Sequence, residues 1–215
     1  MSISHHVNLR LIEVDRLPAS PWRNGGGQTR ELLRHPPGAG EHAWHWRLSV
    51  ADIQADGPFS PYPGVQRWFA VVEGAGVTLA WPHQTLRLMP GDGAIRFDGA
   101  AAPEGHLLGG HSRDLNLMLR EGCSGGRLLP AAPGLGRAGL HGRPRGLFSV
   151  SALDLFCGHD SRVAVPAMTL AWCEAGDARP WAVKAPAPPP EAGPGGDTPP
   201  PMQAFWVELL PPETR

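Results

Sequence analysis

The stretch Pro21-Trp22-Arg23-Asn24-Gly25-Gly26-Gly27-Gln28-Thr29-Arg30-Glu31 is the most unusual in the chain. Three consecutive glycines open backbone angles closed to other residues and let a main chain approach a ligand closely. Trp22 supplies an apolar wall, and Arg23, Asn24, Gln28 and Thr29 supply hydrogen-bonding groups. The spacing is neither that of a dinucleotide-binding GxGxxG nor that of a P-loop, because the GK[ST] ending is missing. Two readings stay open: a tight turn around a packed tryptophan, or a ligand-facing loop with Gly26 at its centre.

A second set of polar groups sits on strand-like segments. Alternation in Arg47-Leu48-Ser49-Val50 puts Arg47 and Ser49 on one face, with Trp46, Leu48 and Val50 on the other. From Asp114 to Arg120, the residues Asp114, Asn116, Met118 and Arg120 share a face opposite Leu115, Leu117 and Leu119. Half-exposed sheets show the same pattern, so solvated arginines explain Arg47 and Arg120 as well as a pocket does. Arg67 differs. Its same-face neighbours are Phe69 and Val71, and a charge on an apolar stripe points to a lined pocket.

Other chemistries find less support. Of the ten histidines, the closest groupings are His5-His6, His42 with His45, and His83 with His106 and His111. Residues three apart on a strand face opposite ways, so His42 and His45 cannot both point at one ion. No metal and no cofactor are expected. There is no G-x-S-x-G elbow and no paired-carboxylate signature, and Glu31, Asp52, Glu73 and Asp114 read as isolated acids. No catalytic residue is assigned. Cys123, Cys157 and Cys173 are an odd number without a pairing motif, which suits reduced, buried thiols in a cytoplasmic protein.

The elements that must position these groups are short strands. Glycine (28) and proline (25) punctuate the 215 residues, and no long stretch has a helical period. Strands are expected at Trp44 to Ile53, Val65 to Val72, Val77 to Trp81, Thr85 to Leu88, Ala94 to Phe97 and Leu115 to Leu119. More follow at Leu147 to Phe156, Arg162 to Val165, Met168 to Cys173, Trp181 to Lys184 and Ala204 to Leu210. Such spacing indicates an all-β sandwich or barrel. The expected division is a module over residues 1–120, a Gly/Pro/Arg-rich connector over 121–146 and a second module over 147–215. The low-complexity run 185–201 is a surface insertion between two strands. A formal net charge of -1 gives no field to draw nucleic acid or an anionic membrane. No run reaches the ~20 apolar residues of a membrane span. A symmetric homodimer is the default assembly.

Three ordered blocks then carry a resemblance: PWRNGGGQTREL (Pro21 to Leu32), WRLSVADIQADGPFSPYPGVQRWFAVVEG (Trp46 to Gly74) and DLNLMLR (Asp114 to Arg120). They resemble signature blocks of HutD/Ves proteins, and LMPGDGAIRFDG (Leu88 to Gly99) fits the same half. The resemblance is carried by roughly residues 10–120 and is weaker beyond. It implies a double-stranded β-helix (cupin) fold, two cupin barrels in one chain, without the usual cupin metal ligands. Where a metal cupin places its histidine cluster, this chain has Pro63-Gly64-Val65-Gln66-Arg67, so a fixed cation replaces the metal. HutD is named for histidine utilisation, whose pathway passes through urocanate and N-formylglutamate. A small carboxylate of this kind suits an arginine-bearing pocket.

The expected site has Arg67 as carboxylate anchor and Trp22 and Phe59 as walls. Asn24, Gly26, Thr29, Arg47, Ser49 and Asn116 are its polar contacts. The alternative is a metal-independent isomerase or hydrolase acting on a similar acid.

Overall fold

The structure is a computed structural model that describes residues 8–139, 142–158, 161–174, 179–186 and 202–212. His5, His6 and residues 187–201 of the proline-rich insertion lie outside the described residues. In chain order the strands begin with β1 (Arg10–Glu13), β2 (Ala19–Pro21), β3 (Gly27–His35), β4 (Trp46–Ile53), β5 (Gly57–Pro58) and β6 (Val65–Gly74). There follow β7 (Val77–Trp81), β8 (Gln84–Leu88), β9 (Ile95–Asp98), β10 (Glu104–Leu107), β11 (Ser112–Arg120) and β12 (Gly125–Pro130). The last group is β13 (Arg137–Ala138), β14 (Arg145–Ser149), β15 (Leu153–Cys157), β16 (Ser161–Val165), β17 (Thr169–Cys173), β18 (Pro180–Lys184) and β19 (Ala204–Leu210). Among the described residues the only helical element is a 3-10 turn, Val14–Arg16, and no helix is long and apolar enough to cross a membrane. The chain is all-β, as its turn spacing predicts.

Two compact units form. One comprises Val14–Leu129 with Val207–Arg215, the other Met1–Glu13 with Pro130–Trp206. The expected division at 120 and 147 differs because chain ends cross over. Arg10 to Glu13 pair antiparallel with Trp172 to Thr169, so the first strand belongs with the later unit.

In the N-terminal unit a six-stranded sheet, β2-β3-β4-β11-β6-β9, accompanies a four-stranded one, β5-β10-β7-β8. Ile53, Phe69 and Val71 of the larger sheet join Val77, Leu79 and Leu88 of the smaller in one buried cluster. Leu48, Val50, Leu115 and Leu117 are buried on the other face of the larger sheet. Both faces of its central strands are therefore covered. The later strands form a five-stranded sheet, β1-β17-β14-β19-β12, and a four-stranded one, β13-β18-β15-β16. Leu147, Phe148, Leu155, Trp172, Trp181 and Phe205 are buried there.

Several expectations are corrected. The run Leu147 to Phe156 is two strands, because Val150 and Ser151 turn to donate their N–H groups to the Gln203 carbonyl. Residues read as connector include β12. Its glycines are a strand's requirement: a Cβ at Gly125 would lie 2.5 Å from the Pro211 carbonyl, and one at Gly126 2.7 Å from that of Glu208. Cys157 and Cys173 are buried as expected, but Cys123 is exposed in the turn after β11. His42 and His45 precede β4 rather than lying on it, and the His45 ring meets His35 at 5.7 Å.

Candidate functional site

Side chains two apart on a strand share a face, so the register of the six-stranded sheet shows which groups meet. One row runs Glu31 (β3), Ser49 (β4), Asn116 (β11), Phe69 (β6), Ile95 (β9). The row on one side is Arg34, Arg47, Met118, Arg67, Phe97, and on the other Thr29, Ala51, Asp114, Val71. Phe69 and Val71 belong to the apolar cluster between the sheets, so this face is the interior of the unit. Arg67, Ser49 and Asn116 of the expected site are thus brought together on it.

Arg67 is 4% exposed. Its guanidinium carbon lies 5.5 Å from the Phe59 ring centroid and 5.1 Å from that of Phe97, close enough for cation–π attraction. The Nε–H has no hydrogen-bond partner. Burial draws the guanidinium below its ordinary value, Asp114 and Tyr62 oppose this, and Arg47 adds to it. An arginine nevertheless keeps its charge in a protein. Phe59 is seated by backbone: its N–H donates to the Pro103 carbonyl at 3.0 Å. A Cβ at Gly105 would come within 2.6 Å of its ring, so only glycine leaves room there. Trp22 packs at 6.1 Å from Phe59 and donates its indole N–H to Thr29 Oγ1 at 2.8 Å.

Asp114, an isolated acid in the sequence, is a further member of this group in the fold. It is wholly buried, and Asn116 (7% exposed) and Ser49 (3%) are nearly so. Both carboxyl oxygens of Asp114 and Oδ1 of Asn116 lack a hydrogen-bond partner. Buried polar atoms normally have one, so a cluster of orphans marks this spot as unusual. Burial pushes the Asp114 carboxyl up to about 7, with Arg67 pulling it down and Asp52 adding to the rise. The available signal was its place two residues before Asn116 on the same face.

Around this cluster the polar groups satisfy one another. Glu31 accepts from the Arg34 guanidinium and from Arg47 Nε at 2.8 Å. Burial works to raise its pKa, but the two arginines outweigh it and hold Glu31 below the ordinary range. Arg47 is therefore paired. Asn24 and Gly26 are engaged in the turn itself: Gly26 N–H donates to Asn24 Oδ1 at 3.1 Å, and Gln54 N–H donates to the Gly26 carbonyl at 2.9 Å. Gly27 is dictated by packing, since a Cβ there would lie 2.2 Å from the Asp52 carbonyl. Arg120 donates to the Trp44 carbonyl at 3.0 Å. On the opposite face of β6, Gln66 and Trp68 line a separate groove of about 410 Å³ with Arg96, Leu119 and the turn from Glu121. No group of three or more metal-ligating side chains occurs among the described residues.

A family model, HutD, matches residues 15–179. The chain belongs to the HutD family. An uncharacterised 21.2 kDa protein from the hutC 3′ region of Pseudomonas putida is 42% identical over 111 residues, 51% of this chain and 57% of that protein. Protein Ves of Citrobacter koseri is 36% identical over 120 residues, 52% and 58% of the two chains. The HutD-family chain thus spans a little over half the length of these curated relatives in the matched region. Among solved structures, HutD from Pseudomonas fluorescens SBW25, in a formate condition, has a TM-score of 0.74 at 23% identity, covering 94% of this chain and 97% of its own. That likeness is one of fold, a cupin-like β-sandwich.

Proposed function

We propose that this HutD-family chain is a bicupin, with modules over 1–120 and 147–215 apart from the exchanged ends, and that it binds a small carboxylate without a metal. Arg67 anchors the carboxylate, Phe59, Phe97 and Trp22 form its walls, and Ser49 and Asn116 give polar contacts. Asn24, Gly26 and Thr29 hold the wall in place, and Arg47 with Glu31 forms the margin. The observation that carries this reading is a buried guanidinium set against phenyl rings with an unpartnered N–H. Burying a charge without a partner is costly, and an acceptor of opposite sign offsets that cost. The hutC-region relative directs attention to histidine-pathway acids, with urocanate and N-formylglutamate as candidates. Binding one of them modulates histidine catabolism.

Calorimetric titration with urocanate, N-formylglutamate and glutamate tests the reading. One of the acids should bind, and Arg67→Ala should weaken it by about 100-fold, the usual consequence of removing a buried charged partner. Absence of binding by demonstrably folded protein sinks the assignment. A second reading, a metal-independent isomerase or hydrolase, is favoured by Asp114, because a buried carboxyl near 7 is suited to moving protons. Mass spectrometry after prolonged incubation with the same acids decides it: a product removed by Arg67→Ala supports an enzyme.

A further inference from the structure

Arg67 and Asp114 face the same interior and are both buried, yet no hydrogen bond joins them. Each keeps polar atoms without a protein partner, Nε on one side and both carboxyl oxygens on the other. Asn116 stands between them along β11, with its own Oδ1 unpartnered. A carboxylate placed between the two finds a donor in Arg67. Towards Asp114 it meets acceptors, unless Asp114 carries a proton.

No neighbouring cation relieves that conflict. Arg47 of β4 is bonded to Glu31 of β3. Asp52 of β4 adds negative charge, and Tyr62, ahead of β6, acts on Arg67. The cluster residues from β7, β8 and β9, namely Val77, Leu79, Trp81, Leu86, Leu88, Ile95 and Phe97, are uncharged.

We infer that Asp114 is the specificity-determining partner of Arg67, and that a small carboxylate enters this site together with one proton, which Asp114 then donates as a hydrogen bond to the ligand. The inference rests on the carboxylate reading above and adds its protonation. No covalent bond changes. The proton comes from solvent to an Asp114 oxygen, the ligand keeps its negative charge, and the filled site pairs that charge with Arg67. Burial already holds the Asp114 proton to about 7, so the uptake falls within the range where proteins are studied. A bound anion raises it further.

The test is calorimetry on the full chain with N-formylglutamate, whose carboxylates stay ionised from pH 6 to 8.5, in phosphate and in Tris. The expected result is uptake approaching one proton at pH 8, read as a buffer-dependent enthalpy. Affinity should weaken by about 30-fold between pH 6 and 8.5, as linkage to a group near 7 requires. Asp114→Asn should remove both the slope and the uptake, whatever its affinity. Binding with a flat pH profile and no proton uptake overturns the inference and leaves the carboxylate reading standing. So does an unchanged slope in Asp114→Asn; if that variant does not fold, the proton count of the unaltered chain decides alone. Absence of binding by N-formylglutamate, urocanate and glutamate at every pH overturns both.

Discussion

The two arginines buried among the described residues, one in each unit, are finished differently. Arg145 on β14 lies 4.1 Å over the Trp181 ring, and its guanidinium donates to the carbonyls of Arg179 at 2.7 Å and Arg137 at 3.4 Å. Arg67 on β6 has comparable aromatic cover from Phe59 and Phe97. Nε lacks a hydrogen-bond partner in both residues, but the terminal N–H groups of Arg67 donate to no described residue, where those of Arg145 hold two carbonyls. The Arg145 guanidinium ties the backbone of β13 and of the residue before β18 to β14 and belongs to the fold. Arg67 contributes a cation whose hydrogen bonding the fold leaves incomplete, at the expense of stability. Neither charge burial nor one unpartnered Nε therefore marks a site, since both arginines share them; Arg67 is set apart by the unpartnered oxygens of Asp114 and Asn116 on the same face.

The sharpest way to break this contrast is to replace both. Arg145→Met should destabilise the protein by about 3 kcal/mol, because two carbonyls lose their donor and a cation–π contact disappears. Arg67→Met should change stability by no more than about 1 kcal/mol, since a methionine fits between the rings and no backbone group is orphaned. Asp114, losing its nearby cation, simply keeps its proton. Urea denaturation of the two variants measures this, and a larger loss at Arg67 would erase the distinction. Ligand binding should show the reverse order, lost at Arg67 and retained at Arg145.

A second contrast lies within one sheet. Asp52 accepts from Gln28 Nε2 at 2.7 Å, from Arg113 Nε at 2.6 Å and from Arg30, whereas Asp114 has no partner. Burial works upward on Asp52, but its three donors prevail and hold it below the ordinary range. Its contribution to stability is present above the unfolded value and is lost as pH falls through the folded one. For Asp114 the sign reverses: folded at about 7, it binds its proton more tightly in the native state, so stability falls as pH rises from ~4 to ~7. Asp114→Asn should then stabilise by roughly 2–3 kcal/mol at pH 8 and by little at pH 5. Asp52→Asn should destabilise at pH 8 by about 1–2 kcal/mol. Denaturation at both pH values checks the pair, and slopes of the same sign would contradict it.

Why Arg67 was legible in the sequence and Asp114 was not follows from the same physics. A cation flanked at i+2 and i+4 by Phe69 and Val71 breaks the expected alternation, and that break is visible without coordinates. An acid among leucines breaks it equally, but only the register, which sets Asp114 beside Val71 and four residues along β11 from Met118 opposite Arg67, reveals which charge it faces. The all-β class and most strands were readable from turn spacing. β3 was not, because its polar side chains Gln28, Arg30, Glu31 and Arg34 find partners within the protein and look solvated in one dimension. β12 was hidden because close backbone approach demands the glycines that otherwise signal a linker. The glycine loop resolves into a turn whose Gly27 is fixed by packing, while its tryptophan packs against Phe59.

The wall supplies the smallest effect and the finest discrimination. Thr29→Val preserves the shape beside Trp22 but removes the acceptor of its indole N–H. Trp22 is only partly buried, so water replaces part of that bond, and the loss should be about 1 kcal/mol. If Trp22 acts only as a wall over Phe59, affinity for the bound acid should fall a few-fold through a looser ring, with its pH slope unchanged. A loss as large as that of Arg67→Ala would mean that Thr29 or the indole N–H touches the ligand itself. The boundary between anchoring groups and supporting wall would then have to be redrawn to include β3.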